Sequence, residues 1–182
     1  NNIMIMLGNH DMDRIADVVK DQDPRRVKLA NVLLATMRGI PQVFYGDEYG
    51  MKSADRSLGH STLRMPLPLG EQVTPEQKEM FDFQSRLFQW RKGEKVIHTG
   101  KTMHFMSRDN TYAYFRYNEE EAVFVFANAS EDSRTIPTAH YAEILSLYNP
   151  VGVDILTGET VDLSKTNIKV QPLSTLVVKL TK

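Results

Sequence analysis

Arg38-Gly39-Ile40-Pro41-Gln42-Val43-Phe44-Tyr45-Gly46-Asp47-Glu48 is the stretch on which the fold turns. It opens on a helix stop, Arg-Gly with Pro two residues beyond. Gln42–Tyr45 then reads as a short strand buried on both faces, closed by Gly46. Upstream, Asp23-Pro24 is a helix start, with Asp as N-cap and Pro at the first helical position. Between start and stop, Val27, Ala30, Leu34 and Met37 recur at helical spacing, and Leu33 widens the face. Nearer the N-terminus, Ile3–Leu7 is a second apolar run, closed by Gly8 and also readable as a strand buried on both faces. Strand, helix, strand in this order predicts a parallel β/α unit. A parallel strand needs neighbours, and the expectation is therefore the C-terminal piece of a longer protein.

Residues 47–73 read as irregular. Thr74-Pro75-Glu76-Gln77 is a capping box that opens another helix. Met80, Phe83, Leu87 and Trp90 are its predicted apolar stripe, and Arg91-Lys92-Gly93 its end. Near Val96 the character changes. Thr102–Ser107, Tyr112–Tyr117, Ala122–Ala127, Val153–Leu156, Ile168–Val170 and Thr175–Leu180 are rich in aromatic and β-branched residues. Asp109-Asn110 and Asn118-Glu119 punctuate them as turns. Such spacing without helical periodicity predicts an antiparallel β-sandwich. Two domains follow, 1–95 and 96–182.

Composition narrows the function. The 182 residues carry a net charge of −1 with no long block of one sign, which argues against electrostatically driven nucleic-acid binding. No apolar run approaches the ~20 residues that a membrane span requires. The chain has no cysteine, which excludes disulfides, thiolate zinc sites and cysteine nucleophiles.

Gly8-Asn9-His10-Asp11 follows the first strand, where parallel β/α folds place ligands and catalysts. A plain polar turn is the competing account, since Asn and Asp readily bond their own backbone. The run also resembles the metal-binding turn of calcineurin-like phosphoesterases, and Gly59-His60 mimics a later piece of that pattern. Thr62, however, stands where a second histidine would be wanted, and His98, His104 and His140 fall in the predicted sandwich. The 38–48 stretch favours another family. It resembles the segment that leads into strand 8 of the α-amylase family of glycoside hydrolases (family 13). There a strand-7 Asn-His-Asp is followed by one helix and then Gly-x-Pro-x-x-Tyr-Tyr-Gly-x-Glu. Gly59-His60, Arg64, Trp90-Arg91-Lys92, Val96–Gly100, Phe115-Arg116-Tyr117 and Asp154–Gly158 resemble the neopullulanase and cyclomaltodextrinase branch.

The resemblance implies strands 7 and 8 of a (β/α)8 TIM barrel with their helices, followed by a β-sandwich domain. It implies a retaining hydrolase of α-1,4-linked, and by extension α-1,6-linked, glucans, maltooligosaccharides or cyclodextrins. Asp11 matches the third acidic residue, a transition-state stabiliser. Hydrogen bonds to the sugar 2-OH that strengthen in the transition state contribute several kcal/mol in such enzymes. His10 matches a sugar-binding histidine. Asn9 is expected to orient the turn beside substrate, and Arg14 to partner nearby carboxylates there. Tyr45, Gly46 and Glu48 are expected to be architectural, and Asp47 and Tyr49 to be exposed loop residues, with a place at the border of the substrate groove as the alternative. No metal or cofactor is assigned to these residues, and calcium in the parent is left open. Met65–Gly70 departs from the Asp-Phe-Pro-Gly-Gly-Trp of many relatives, which leaves chain-length specificity open.

The family's nucleophile Asp and acid/base Glu belong to strands 4 and 5, which this sequence lacks. The isolated chain is therefore expected to be inactive. Its open strand edges are expected to be covered by the missing barrel portion or by a second copy. The non-enzymatic alternative is a carbohydrate-binding or interaction module on the same fold.

Overall fold

A computed structural model describes residues 2–182. The chain divides into two compact units: residues up to Ala35 with Gly39–Lys92, and Thr36–Arg38 with Gly93–Lys182.

In the first unit, β1 (Met4–Met6) and β2 (Ile40–Gln42) pair in parallel, Met4 opposite Ile40 and Met6 opposite Gln42. The second strand thus sits two residues earlier than its apolar run suggests. Its ladder is limited by β1: the chain turns after Met6, and no strand among the described residues lies beside Val43–Tyr45. Pro41, which has no N–H to give, is tolerated in such an outer strand. Expected burial on both faces is also corrected. Ile3, Met4 and Ile40 are each more than half exposed, because each strand has one neighbour among the described residues. Gly39 has φ +134°, and a Cβ there would stand 2.8 Å from the Ile3 carbonyl oxygen. Only glycine lets the two backbones meet at this point.

The two long helices follow their sequence signals closely. After the short α1 (Ile15–Val18), α2 spans Pro24–Thr36. Asp23 caps it, its Oδ1 accepting the Arg25 N–H at 2.8 Å. α3 spans Pro75–Gly93. Its capping box is complete: the Gln77 N–H donates to Thr74 Oγ1 at 3.3 Å and the Thr74 N–H to Gln77 Oε1 at 3.0 Å. The buried stripe of α3 differs from the apolar reading. Met80, Gln84, Leu87 and Arg91 are buried, whereas Phe83 and Trp90 are half-buried. The two polar members are inside because α2 and the bend that follows it supply partners. Gln84 donates to Asn31 at 2.7 Å, and Arg91 donates to the Ala35 and Gly39 carbonyls at 2.5 and 2.9 Å. Arg91 thereby satisfies a last-turn carbonyl of α2 that has no helical partner and holds the start of β2.

In the second unit, α4 (Lys95–Thr99) precedes β3 (Lys101–His104), β4 (Thr111–Tyr117) and β5 (Glu121–Asn128). There follow β6 (Arg134–Thr135), α5 (Ala142–Leu145), β7 (Val151–Asp154), β8 (Thr160–Asp162), β9 (Lys169–Val170) and β10 (Ser174–Thr181). The main sheet has the order β3-β4-β5-β10-β7-β8 and is antiparallel throughout; β6 and β9 form a small antiparallel second sheet. Phe115, Phe124, Phe126, Val178 and Leu180 of the large sheet pack against Ile136, Tyr141, Ile144 and Val170 of the covering layer, a two-layer arrangement.

Both predicted turns are present. Asp109 and Asn110 adopt φ +50° and +58°, the left-handed pair that a type I′ hairpin requires. Asn118 Oδ1 accepts the Glu120 and Glu121 N–H groups, both at 2.9 Å. β7 ends at Asp154 rather than at Leu156. The Asp154 carboxylate accepts the Leu156 N–H at 3.2 Å and the Thr157 hydroxyl at 2.9 Å, which turns the chain. The two short strands β6 and β8 were not legible as strands. No helix among the described residues is long and apolar enough to cross a membrane.

Candidate active site

The site grows from the C-terminal end of β1. Asn9 Oδ1 accepts the Asp11 N–H at 2.8 Å, and the Met12 N–H reaches the Asn9 carbonyl at 3.3 Å. This Asx turn is the local conformation that Asn favours. Asn9, not Asp11, therefore stabilises the turn, and the Asp11 carboxylate is left free to face solvent. Its side chain is 64% exposed; His10 Nε2 lies 3.1 Å from Oδ2, and Arg64 Nη2 lies 3.5 Å from Oδ1. Two exposed donors thus flank one carboxylate. Exposed pairs of this kind contribute only ~0–1 kcal/mol to stability.

Arg14 lies three residues on and is fully buried. Its Nη1 donates to the Tyr45 carbonyl and to Asp47 Oδ1, both at 2.9 Å, and its Nη2 donates to the Leu63 carbonyl at 2.6 Å. The Phe44 ring covers the guanidinium at 4.6 Å. Gly46 makes room with φ +90°; a Cβ there would stand 2.5 Å from Met51 Sδ and 3.1 Å from Arg14 Nη1. Arg14 does pair with a carboxylate, but inside the unit, whereas Asn9, His10 and Asp11 share the exposed turn.

Asp47 is a correction: it is a buried partner of Arg14, not an exposed loop residue. Loss of water pushes its carboxyl up to about 6, which outweighs the opposing pull of Arg14; Glu48 and Asp17 add to the rise. Glu48 anchors the loop as expected, accepting the Gly46 N–H at 2.7 Å. Tyr49 is half-buried and stacks on Phe81 at 5.0 Å.

Farther along, residues 53–63 are tied to residues 13–17 at three points. Asp17 Oδ2 accepts from the Ser53 N–H and hydroxyl at 2.9 and 2.7 Å, Arg56 pairs with Asp13, and Arg14 holds Leu63. Sequence reasoning missed Asp17 and Asp47 as interior acids and missed the approach of Arg64 to Asp11. These contacts span more than thirty residues of separation, and no local spacing encodes them. Among the described residues no three His, Asp or Glu side chains converge to hold a metal ion, so the phosphoesterase alternative has no ligand set here.

Two parallel strands joined through a helix, with a polar turn beyond the first, and then an antiparallel sandwich are the pattern expected of a slice of a β/α-barrel enzyme with a C-terminal sandwich domain. The family description "Alpha amylase, catalytic domain" matches residues 1–138, and "Cyclo-malto-dextrinase C-terminal domain" matches residues 102–179. The chain belongs to the alpha-amylase family.

Among curated relatives, a 4-alpha-glucanotransferase of Thermotoga neapolitana is 28% identical over 94% of this chain and 38% of its own length. A cyclomaltodextrinase of Geobacillus thermopakistaniensis is 28% identical over 85% of this chain and 24% of its own. A maltogenic alpha-amylase of Bacillus acidopullulyticus is 25% identical over 91% and 28%. The chain thus spans between about a quarter and two fifths of the length of these relatives. The fold also matches a solved structure of AmyP E221Q with maltotriose (TM-score 0.78, 17% identity, 98% of this chain and 41% of that one). A trehalose-6-phosphate hydrolase of Bacillus licheniformis matches with TM-score 0.77 at 18% identity, over 98% of this chain and 43% of that one.

Proposed function

We propose that this chain carries the strand-7 and strand-8 part of the active site of a retaining glycoside hydrolase. Its substrates are α-1,4-linked, and by extension α-1,6-linked, glucans, maltooligosaccharides or cyclodextrins. Residues 1–95 are the barrel portion and 96–182 the sandwich domain. The observation that carries this reading is the Asp11 carboxylate, exposed at the C-terminal end of β1 on a turn that Asn9 has already stabilised.

In this reading Asp11 binds the sugar hydroxyls and strengthens its hydrogen bonds as the ring flattens toward an oxocarbenium-like state. His10 donates to the same sugar, and Asn9 fixes the turn that aims both. Arg14 serves the site from inside, by holding the segments around it. The nucleophile and the acid/base, which retaining enzymes keep ~5 Å apart, come from barrel strands outside these 182 residues. The exposed Ile3, Met4 and Ile40 are where the remaining barrel strands, or a second copy, would pack. The distribution of names among the relatives supports the substrate class: glucanotransferase, cyclomaltodextrinase and maltogenic amylase.

The test is a chimera in which this chain replaces the matching part of the Geobacillus cyclomaltodextrinase. The chimera should turn over maltooligosaccharides, and the chain alone should not. Turnover by the isolated chain would overturn the proposed division of labour.

A further inference from the structure

Asp11 and Arg64 come from segments 53 residues apart in sequence, and both side chains are about half exposed or more. A contact at 3.5 Å between two such groups cannot hold its own geometry, because an exposed pair returns too little to fix two mobile side chains. Their separation must be set from elsewhere. Of the three ties between residues 13–17 and residues 53–63, Arg56–Asp13 is exposed, and Asp17–Ser53 lies eleven residues before Arg64. The third is Arg14 on Leu63. It is buried, adjacent in sequence to Arg64, and only three residues from Asp11.

Arg14 is suited to this task by its chemistry. Its donors form a rigid planar fork, and the three observed acceptors lie on two segments: Tyr45 and Asp47 in the loop directly after β2, and Leu63 beyond it. The Phe44 face above and the tight space at Gly46 leave the guanidinium one seat. Asp47 keeps the cation there, since a buried guanidinium without a counter-charge would withdraw toward water.

We infer that the buried Arg14–Asp47 pair is a positioning device that sets the separation of Asp11 from Arg64, and so the width of the hydroxyl-binding edge they form. The inference rests on the reading of Asp11 as facing substrate. Arg14 and Asp47 act as positioning residues and touch no sugar.

The experiment uses the full chain and NMR of the Arg64 side-chain Nε–H. Asp11→Asn should move that resonance in the otherwise unchanged chain, because the two groups are in contact. In an Asp47→Asn background that retains native amide dispersion, the same Asp11→Asn change should leave the Arg64 resonance unmoved. A merely stabilising role for the pair would lower the melting temperature and leave the Asp11–Arg64 coupling intact; that result overturns the inference. If Asp47→Asn does not fold, the double variant Arg14→Met/Asp47→Met decides in the same way, since apolar residues often replace a buried ion pair without loss of stability. Loss of coupling there supports the inference, and retention overturns it. The underlying reading fails separately: a chimera indifferent to Asp11→Asn would refute the substrate role and leave the NMR result standing.

Discussion

Arg91→Met tests whether a single cation closes the first unit. Arg91 is buried, and its guanidinium donates to the Ala35 carbonyl at 2.5 Å and the Gly39 carbonyl at 2.9 Å. Methionine preserves most of the aliphatic stem and removes both bonds. A hydrogen bond from a charged donor is worth ~1.5–3 kcal/mol, and a buried acceptor left unpaired costs ~1–3 kcal/mol. Against that stands a relief: burial disfavours the charged form of Arg91 and lowers its pKa, so the variant no longer bears that desolvation. The net expectation is a loss of about 3 kcal/mol. At ~2–4 °C per kcal/mol for a chain of this size, the melting point should fall by roughly 6–12 °C. The readout is built in, because Trp90 is the sole tryptophan and neighbours Arg91 on α3. Urea unfolding followed by its fluorescence gives the change directly, with the exposed Lys92→Met as the control, expected within ~0.5 kcal/mol. A loss below about 1 kcal/mol for Arg91→Met would show that the two carbonyls find water instead, and would refute the reasoning.

Three further outcomes are expected. The Asp47 carboxyl titrates at about 6 in the native chain against 3.8 as its ordinary value. The native state therefore holds the proton more tightly, and the stability this provides is complete below about pH 4 and lost as the pH rises through 6. At ~1.4 kcal/mol per pH unit the window is worth roughly 3 kcal/mol. Asp47→Asn should flatten the slope of unfolding free energy between pH 4 and 6, and an unchanged slope would assign the titration to another group. Gly46→Ala forces a Cβ against Met51 Sδ and strains a φ of +90°; calorimetry should show a loss of about 1–3 kcal/mol, and a neutral result would mean the loop shifts freely. Thr74→Ala removes half of the capping box on α3 and should cost ~1 kcal/mol by urea unfolding; no measurable cost would mean that water replaces the cap.

The parts of the fold that depend on neighbours in sequence were legible. Asp23-Pro24 and Thr74–Gln77 open helices where they should, because a cap is a contact two or three residues long. Asp109-Asn110 turns a hairpin for the same reason. The parts that depend on distant partners were not. Gln84 and Arg91 read as polar punctuation, yet lie on the buried stripe because α2 offers them an amide and one carbonyl, and Gly39 beyond it a second carbonyl. β2 sits early because its ladder is as short as β1 allows. β6 and β8, of two and three residues, are too short to show a period.

The candidate site divides along the same line. Asn9, His10 and Asp11 lie together in one turn, as contiguous residues must, and their exposure follows from the Asx bond that Asn9 makes. Arg14 was legible as the partner of a carboxylate, but not as a buried one. Its partner Asp47 is 33 residues away and looked like a loop residue. Arg64 reaches Asp11 across 53 residues, a distance that no motif bridges.

The most direct measurement is kcat for maltooligosaccharide hydrolysis by the cyclomaltodextrinase chimera with and without Asp11→Asn. Several kcal/mol of transition-state hydrogen bonding, at 1.36 kcal/mol per tenfold, correspond to a fall of about a thousandfold or more, with folding unchanged. A fall of less than about tenfold would mean that this carboxylate does not face the reacting sugar.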